Sequence, residues 1–147
     1  MTISIGSDHA GYAYKEELKS MLAALGHDVI DVGTESEASV DYPDYGTAAA
    51  ALVRDGKAQY GVLICGSGIG ISIAANKVQG IRAANCTSVE MAQLARQHND
   101  ANVVAVGQRL VSLELAKDIV AAFLSTPFEG GRHQRRVDKL NGAGEQS

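Results

Sequence analysis

Five short runs rich in β-branched residues recur along the chain, and longer segments with helical periodicity lie between and after them. The runs are predicted strands at Thr2–Gly6, Asp28–Val32, Tyr60–Cys65, Ile81–Asn85 and Val103–Val106. The helices, in which apolar residues recur every three or four positions, are predicted at about Tyr14–Leu25, Tyr45–Arg54, Ile69–Asn76, Ser88–Gln97 and Leu113–Leu124. Strands that alternate with helices pair in parallel, and helices cover both faces of the sheet. The sequence therefore predicts a three-layer α/β/α Rossmann-like sandwich with a five-stranded parallel sheet.

The length of the chain fits one domain. Its 147 residues are enough for a substantial core and too few for two typical domains. The segment from about residue 130 to 141 is basic in an otherwise acidic protein, and residues 142–147 have the composition of a frayed end. We therefore expect a single domain over residues 1–147.

Charge and composition argue against several classes of protein. The net charge of −4 is unlike that of a general nucleic-acid binder, and no apolar run approaches the roughly 20 residues that span a bilayer. The start, MTISIGSDHAG, lacks the regions of a signal peptide. We expect a cytoplasmic protein with no nucleic-acid or membrane partner. Two cysteines without a CxxC pair and four scattered histidines argue against a zinc site, so neither a metal nor a cofactor is expected.

A glycine-rich loop joins the third predicted strand to the next helix in the stretch LICGSGIGISIAANK. Its glycines, within Gly66–Gly70, miss the dinucleotide pattern GxGxxG because Ile71 occupies the third glycine's place, and the GK[ST] of a Walker loop is absent. What remains is a set of backbone N–H groups at a helix N-terminus, a setting that favours a bound anion. The alternative is a tight turn without a ligand.

The thiol of Cys65 stands at the start of this loop. Free cysteine is usually a small buried hydrophobic residue, but at a helix N-terminus it ionises readily and can act as a base or nucleophile. Cys86 has no such setting and is interpreted as structural. Asp8 and His9 follow the first strand, so a parallel sheet would place them on the same edge as Cys65. A surface role is the alternative for His9.

Two further candidate groups lie late in the chain. His98, in RQHNDAN, is either functional or part of a helix C-cap in which Asn99 supplies the turn. Arg132 and Arg136, in GGRHQRRVDKL, are spaced i, i+4 and would point the same way on a helix, whereas Arg135 would point elsewhere. Such a pair can hold a phosphate through bidentate bonds. A solvated basic helix is the alternative.

Together, the segments GSDHAG, DVGT, DYPDYG, LICGSGIGISIAANK, GIRAA, ARQHNDANV and EGGRHQRRV resemble the family of ribose-5-phosphate isomerase B. This family also includes galactose-6-phosphate isomerase subunits and allose-6-phosphate isomerases. The resemblance runs from residue 3 to about 138, and CGSGIGISIAANK and RQHNDANV are its most specific parts. It implies a metal-independent aldose–ketose isomerase that interconverts ribose 5-phosphate and ribulose 5-phosphate through an enediolate.

The resemblance also implies roles for individual residues. Cys65 would be the base, His98 would open the sugar ring, and Ser67 would move a proton between O1 and O2. One branch of the family uses a glutamate base just after the glycine loop; Ile71 stands there in this chain, so the cysteine version applies. The N–H groups of Gly66–Gly70 would stabilise the enediolate. The implied substrate-binding residues are Asp8, His9, Gly66, Ser67, Gly68, Ile69, Gly70, Asn99, Arg109, Arg132 and Arg136.

The order of elements bears on the assembly. His98 lies between a helix and the start of a strand, which is the edge of the sheet opposite Cys65. A site that uses both residues is simplest if a neighbouring chain supplies His98 and Asn99. We therefore expect a homodimer with shared active sites, as is usual in the family, and leave a tetramer open.

Three alternative functions remain. A related isomerase acting on allose or galactose 6-phosphate would use the same chemistry in a longer pocket. A non-catalytic sugar-phosphate sensor on this fold would need neither Cys65 nor His98. A flavodoxin-like nucleotide binder would need motifs that this sequence lacks.

Overall fold

A parallel five-stranded sheet in the order β2-β1-β3-β5-β4 forms the centre of the molecule. The structure is a computed structural model, and it describes residues 1–142. The strands are β1 (Thr2–Ser7), β2 (Asp28–Asp31), β3 (Tyr60–Cys65), β4 (Ala83–Asn85) and β5 (Val103–Gly107). The helices are α1 (Tyr12–Ala24), α2 (Tyr42–Arg54), α3 (Ile69–Asn76), α4 (Val89–Asn99), α5 (Leu113–Ser125) and α6 (Arg132–Gly142). The predicted α/β/α sandwich with a five-stranded parallel sheet is confirmed.

Apolar side chains of the central strand point alternately to the two faces of the sheet. Val62 and Ile64 of β3 belong to a core cluster shared with α1, α4 and α5. Leu63 and Cys65 point to the opposite face and belong to a second cluster shared with α2 and α3. Since both faces of β3 are covered by helices, its uninterrupted apolar sequence suits its place in the middle of the sheet.

The start of helix α2 and the end of helix α4 differ from the predicted positions, and the residues at each boundary explain the difference. Helix α2 begins at Tyr42, three residues early, because Pro43 is accommodated in its first turn. Helix α4 continues through His98 to Asn99, and the residue that ends it in the left-handed conformation is Asp100, with φ of 46°. The alternative interpretation of this segment, a C-cap in which Asn99 supplies the turn, was therefore one residue off.

The basic C-terminal segment forms helix α6, whose described end is Gly142. The predicted frayed end at 142–147 therefore begins on a helical residue, and residues 143–147 lie outside the described residues. Across residues 1–142, no helix is both long enough and apolar enough to cross a membrane.

A buried ion pair lies between α1 and β2. The Lys15 side chain is fully buried, and its Nζ lies 2.6 Å from Oδ2 of Asp31. Lys19 Nζ lies 3.0 Å from the same oxygen, and the Gly33 N–H donates to Oδ1 at 2.8 Å. Although burial opposes ionisation of Asp31, these hydrogen bonds hold the pKa of its carboxyl below the usual value.

Candidate active site

β1 and β3 are neighbouring strands in the middle of the sheet, and the strand order reverses between them. Their carboxyl ends therefore lie side by side at a switch point. In open parallel sheets, this switch point is where ligands bind. A cleft of about 310 Å³ opens there. Its lining includes seven of the residues predicted from the sequence: Asp8, His9, Cys65, Gly66, Ser67, Gly70 and Arg109. It also includes Ala10, Tyr42 and Leu110, which the sequence analysis did not select.

The polar wall formed after β1 is held by short local contacts. Asp8 caps a single 3-10 turn, His9–Gly11, by accepting a hydrogen bond from the Gly11 N–H at 3.1 Å. The imidazole Nδ1 of His9 lies 3.1 Å from the backbone nitrogen of Val40 and 3.2 Å from its oxygen. Because Val40 belongs to the long loop between β2 and α2, this contact ties that loop to the cleft.

The sulfur of Cys65 lies at the bottom of the cleft. The residue is only 4% exposed, yet it lines the cleft together with Gly66 and Ser67. Its Sγ accepts a hydrogen bond from the Gly68 N–H at 3.1 Å, a contact that strengthens when the acceptor carries a charge. Gly68 can make this turn because its φ of 79° is in the left-handed region, which glycine adopts without strain.

The loop contributes fewer free N–H groups than the sequence suggested. The Gly68 N–H is already directed at Cys65, and the Ile69 N–H donates to the Ser67 hydroxyl oxygen at 3.1 Å. Gly68 and Ile69 do not line the cleft, and Ile69 is exposed. Of the residues whose N–H groups are predicted to stabilise an oxyanion, Gly66, Ser67 and Gly70 line the cleft.

The segment after β5 packs directly on this loop. The Arg109 N–H donates to the Gly66 carbonyl at 3.0 Å, and the Gln108 N–H donates to the Cys65 carbonyl at 2.9 Å. The exposed Arg109 side chain then runs along Gly66, where an added Cβ would lie 3.1 Å from Nη1. These contacts place a guanidinium on the wall of the cleft beside the thiol.

The second cysteine is in a different environment. Cys86 is 1% exposed within the core cluster on the α1, α4 and α5 face. Burial raises the pKa of the Cys86 thiol to about 11. Cys65 lines the cleft and Cys86 does not, which agrees with the structural interpretation of Cys86.

The other predicted residues do not line this cleft. His98 and Asn99 are in the last turn of α4, which leads to the start of β5 and therefore to the opposite edge of the sheet. Asn99 lines a separate cavity of about 430 Å³ near β4. Arg132 and Arg136 are exposed on α6. The structure thus divides the predicted site residues between two regions of one chain.

The buried Arg96 anchors the region around His98. Its guanidinium donates to the Asp100 carboxylate at 2.8 Å and to the Ala101 carbonyl at 2.7 Å. It also lies over the ring of Tyr60, 4.9 Å from the centroid. The polar segment RQHNDAN therefore contains a structural anchor and a helix cap, and these fix the end of the helix that presents His98 and Asn99.

Three side chains near the start of α6 form a cluster. The rings of His98 and His133 stack with centroids 4.3 Å apart and an interplanar angle of 13°. The Nε2 atoms of His98 and His133 lie 3.8 and 3.7 Å from Oε1 of Glu129. Glu129 and His133 were missed in the sequence analysis; the EGGRHQRRV segment was noted only for its arginines and its resemblance.

These three side chains are also candidate metal ligands, since their ligand atoms lie within 4.8 Å of one another. A tetrahedral zinc ion needs lone pairs that converge on one point. The almost parallel rings of His98 and His133 direct their lone pairs side by side, so a metal would require one ring to rotate. In the arrangement described, the group is a carboxylate beside two stacked imidazoles.

Comparison with known proteins gives a consistent result. The model of the ribose/galactose isomerase family matches residues 3–140. Ribose-5-phosphate isomerase B of Escherichia coli is 52% identical over 138 residues, which are 94% of this chain and 93% of that protein. The structure of ribose-5-phosphate isomerase B from Clostridium thermocellum matches with a TM-score of 0.98 at 52% identity, over 99% of both chains. A ribose 5-phosphate isomerase structure from Thermotoga maritima matches with a TM-score of 0.93 at 51% identity, over 95% of this chain and 97% of that one.

These matches span nearly the whole chain, include the strand ends and the glycine loop that build the cleft, and agree in sequence and in fold. The chain belongs to the ribose/galactose isomerase family.

Proposed function

We propose that this chain interconverts ribose 5-phosphate and ribulose 5-phosphate as a metal-independent aldose–ketose isomerase. The observation that carries the proposal is the position of the Cys65 sulfur. It lies at the bottom of a cleft whose walls offer backbone N–H groups, the polar pair Asp8 and His9, and the Arg109 guanidinium. A weak C–H acid, a developing oxyanion and a phosphate each have a matching group there.

The isomerisation moves one carbon-bound proton. The Cys65 thiolate removes the proton from C2 of the open-chain aldose, which leaves an enediolate, and the thiol returns a proton to C1. The N–H groups of Gly66, Ser67 and Gly70 hold the oxygen that becomes negative, and each such donor contributes about 3 kcal/mol to transition-state stabilisation. Because the Ser67 oxygen already accepts from the Ile69 N–H, its own proton is available to pass between O1 and O2.

The remaining groups serve the phosphate and the closed sugar. Arg109, which lines the cleft, binds the phosphate, and Arg132 and Arg136 supply further positive charge from α6. His98 opens the furanose ring, because an imidazole exchanges protons near neutral pH, and Asn99 beside it binds the sugar. These four residues of α4 and α6 act on the cleft of a second copy of this chain.

The division of the site between two edges of one sheet favours a homodimer with shared active sites. A test mixes Cys65→Ala, which cannot isomerise the open chain, with His98→Asn, which cannot open the ring, and compares the activity before and after subunit exchange. Random exchange creates mixed dimers that hold one intact site each, so about a quarter of the unmodified activity should return. Exchange proved with tagged subunits but without recovered activity would overturn the shared site.

The substrate is tested with the chelator-treated protein and three sugar phosphates: ribose 5-phosphate, allose 6-phosphate and galactose 6-phosphate. We expect ribose 5-phosphate to give the highest kcat/KM. A higher value with either hexose phosphate would identify the hexose isomerase, and binding without turnover of any of the three would identify a sensor. Activity that appears only after a divalent metal is added would contradict the metal-independent mechanism.

A further inference from the structure

The surroundings of His98 contain two titratable groups that the isomerase mechanism does not use. His133 lies flat against the imidazole of His98, and Glu129 places one carboxylate oxygen beside the Nε2 atoms of both rings. The side chain of His98 is 39% exposed and that of His133 only 9%. The ring proposed to open the sugar is thus accessible on one side and supported by a buried ring on the other.

The backbone holds this cluster in place from both ends. The Glu129 N–H donates to the Gln97 carbonyl at 3.1 Å, which ties the segment to the residue before His98. Gly130 and Gly131 have φ of 69° and 56°, left-handed values that turn the chain sharply into α6. The His133 N–H then donates back to the Gly130 carbonyl at 3.0 Å. The sequence EGG therefore folds so that a carboxylate and a ring reach the same side chain.

His133 is suited to the role of an uncharged support. Burial lowers the pKa of His133, and the nearby His98 and Arg132 lower it further, against the opposing effect of Glu129. A neutral ring can stack on His98 without repelling the charge that His98 acquires when it takes up a proton.

We propose that Glu129 and His133 are positioning residues for ring opening, which they support by fixing the plane of the His98 imidazole and offsetting its positive charge. This proposal rests on the proposed function. It follows the general pattern in which a carboxylate orients a histidine that exchanges protons. The separations of 3.7 and 3.8 Å are longer than hydrogen bonds, and such contacts often tighten when substrate binds.

The step they support balances as follows. A proton leaves the C1 hydroxyl, the C1–O4 bond of the furanose breaks, C1 becomes an aldehyde carbon, and O4 gains a proton. His98 moves the proton between these oxygens and carries a positive charge in between. A carboxylate at its Nε2 side stabilises that charge, and a stacked ring keeps the imidazole from turning away from the sugar.

The test uses the slow spontaneous opening of ribose 5-phosphate. A protein that opens the ring itself shows a velocity that rises in proportion to its concentration. A protein that only isomerises the open chain reaches a plateau at the uncatalysed opening rate. We expect Glu129→Ala and His133→Leu to lower kcat/KM by about tenfold or more and to show this plateau, as His98→Asn does. Asp138→Ala, which removes an exposed carboxylate from α6, the helix that carries His133, is the matched control and should show no plateau.

Two further measurements separate this role from a merely structural one. His133→Phe keeps a flat ring against His98 and should lose less activity than His133→Leu. In NMR spectra, stacking shifts the ring protons of His98 upfield, and both His133→Leu and Glu129→Ala should reduce that shift. A lower velocity that stays proportional to protein concentration, or an unchanged velocity, would overturn the proposal. Glu129 is 53% exposed, so Glu129→Ala decides the matter even if His133→Leu fails to fold.

If the proposed isomerase function itself were wrong, the measurements would give a different result from the one that contradicts the positioning role. The unmodified protein would then convert no ribose 5-phosphate at any concentration, while the upfield shift of the His98 ring protons and its loss in the variants would still report on the positioning. Activity of the unmodified protein with no plateau in the Glu129 and His133 variants would instead leave the isomerase function in place and contradict this inference.

Discussion

Replacing Cys65 with alanine should abolish exchange of the C2 proton of the sugar phosphate with solvent and lower kcat by about a thousandfold or more. The thiolate is the group assigned to that proton, because the Cys65 sulfur lines the cleft and accepts a hydrogen bond from the Gly68 N–H of the glycine loop. The measurement is deuterium incorporation at carbon, followed by NMR during incubation of ribose 5-phosphate in D2O. Exchange at the normal rate in the variant would refute Cys65 as the base.

The same variant should still bind substrate. Asp8, His9 and Arg109 keep their own backbone contacts in the absence of the sulfur, so calorimetric titration with the sugar phosphate should give a Kd within a few-fold of that of the unmodified protein. Cys86→Ala is the matched control, because it removes the other buried thiol from outside the cleft. It should lower stability by about 1 kcal/mol and leave proton exchange intact. If both variants lost exchange equally, general destabilisation would explain the result.

The fold was predictable because the information that sets it is local. Apolar runs and helical spacing place β3 at Tyr60–Cys65 and α3 at Ile69–Asn76, and the structure has the same bounds. The candidate binding residues at the ends of β1 and β3 could be predicted to share a cleft because parallel strands end on the same edge of the sheet. This prediction depends only on the order and direction of the strands and not on how side chains pack.

The features that were missed depend on tertiary contacts. Lys15 is at a position in α1 where nothing in the helical pattern marks a buried charge; its burial requires Asp31 from another element. The stack of His98 on His133 joins α4 to α6, and only the turn at Gly130 and Gly131 brings the two rings together. A sequence pattern identifies which residue types stand at the strand ends. It does not show which side chains from distant parts of the chain come into contact, because such pairs have no regular spacing in the sequence.

Replacing Asp31 with asparagine should destabilise the folded protein by about 3 kcal/mol at neutral pH. The change removes the nearer of the two carboxylates that Lys15 faces, at 2.6 Å, while the ammonium group remains fully buried. The partly exposed Glu16 carboxylate stays at 3.3 Å, but a buried charge that loses its main partner is costly. Urea unfolding followed by circular dichroism measures the effect. Asp28→Asn, which neutralises an exposed carboxylate on the same strand, is the control and should change stability by less than about 0.5 kcal/mol.

The pH dependence gives a second, independent check on the same pair. Because the pKa of Asp31 is lower in the folded state than in the unfolded chain, its ionisation stabilises the protein fully above the unfolded value, and this contribution is lost as the pH falls through the folded value. The stability gap between the unmodified protein and Asp31→Asn should therefore be widest near neutrality and narrow below about pH 4. The double variant Lys15→Met, Asp31→Asn also removes the buried positive charge and should recover part of the loss. A gap that did not depend on pH, with no recovery in the double variant, would show that Asp31 acts through its shape and its bond to Gly33 rather than through its charge.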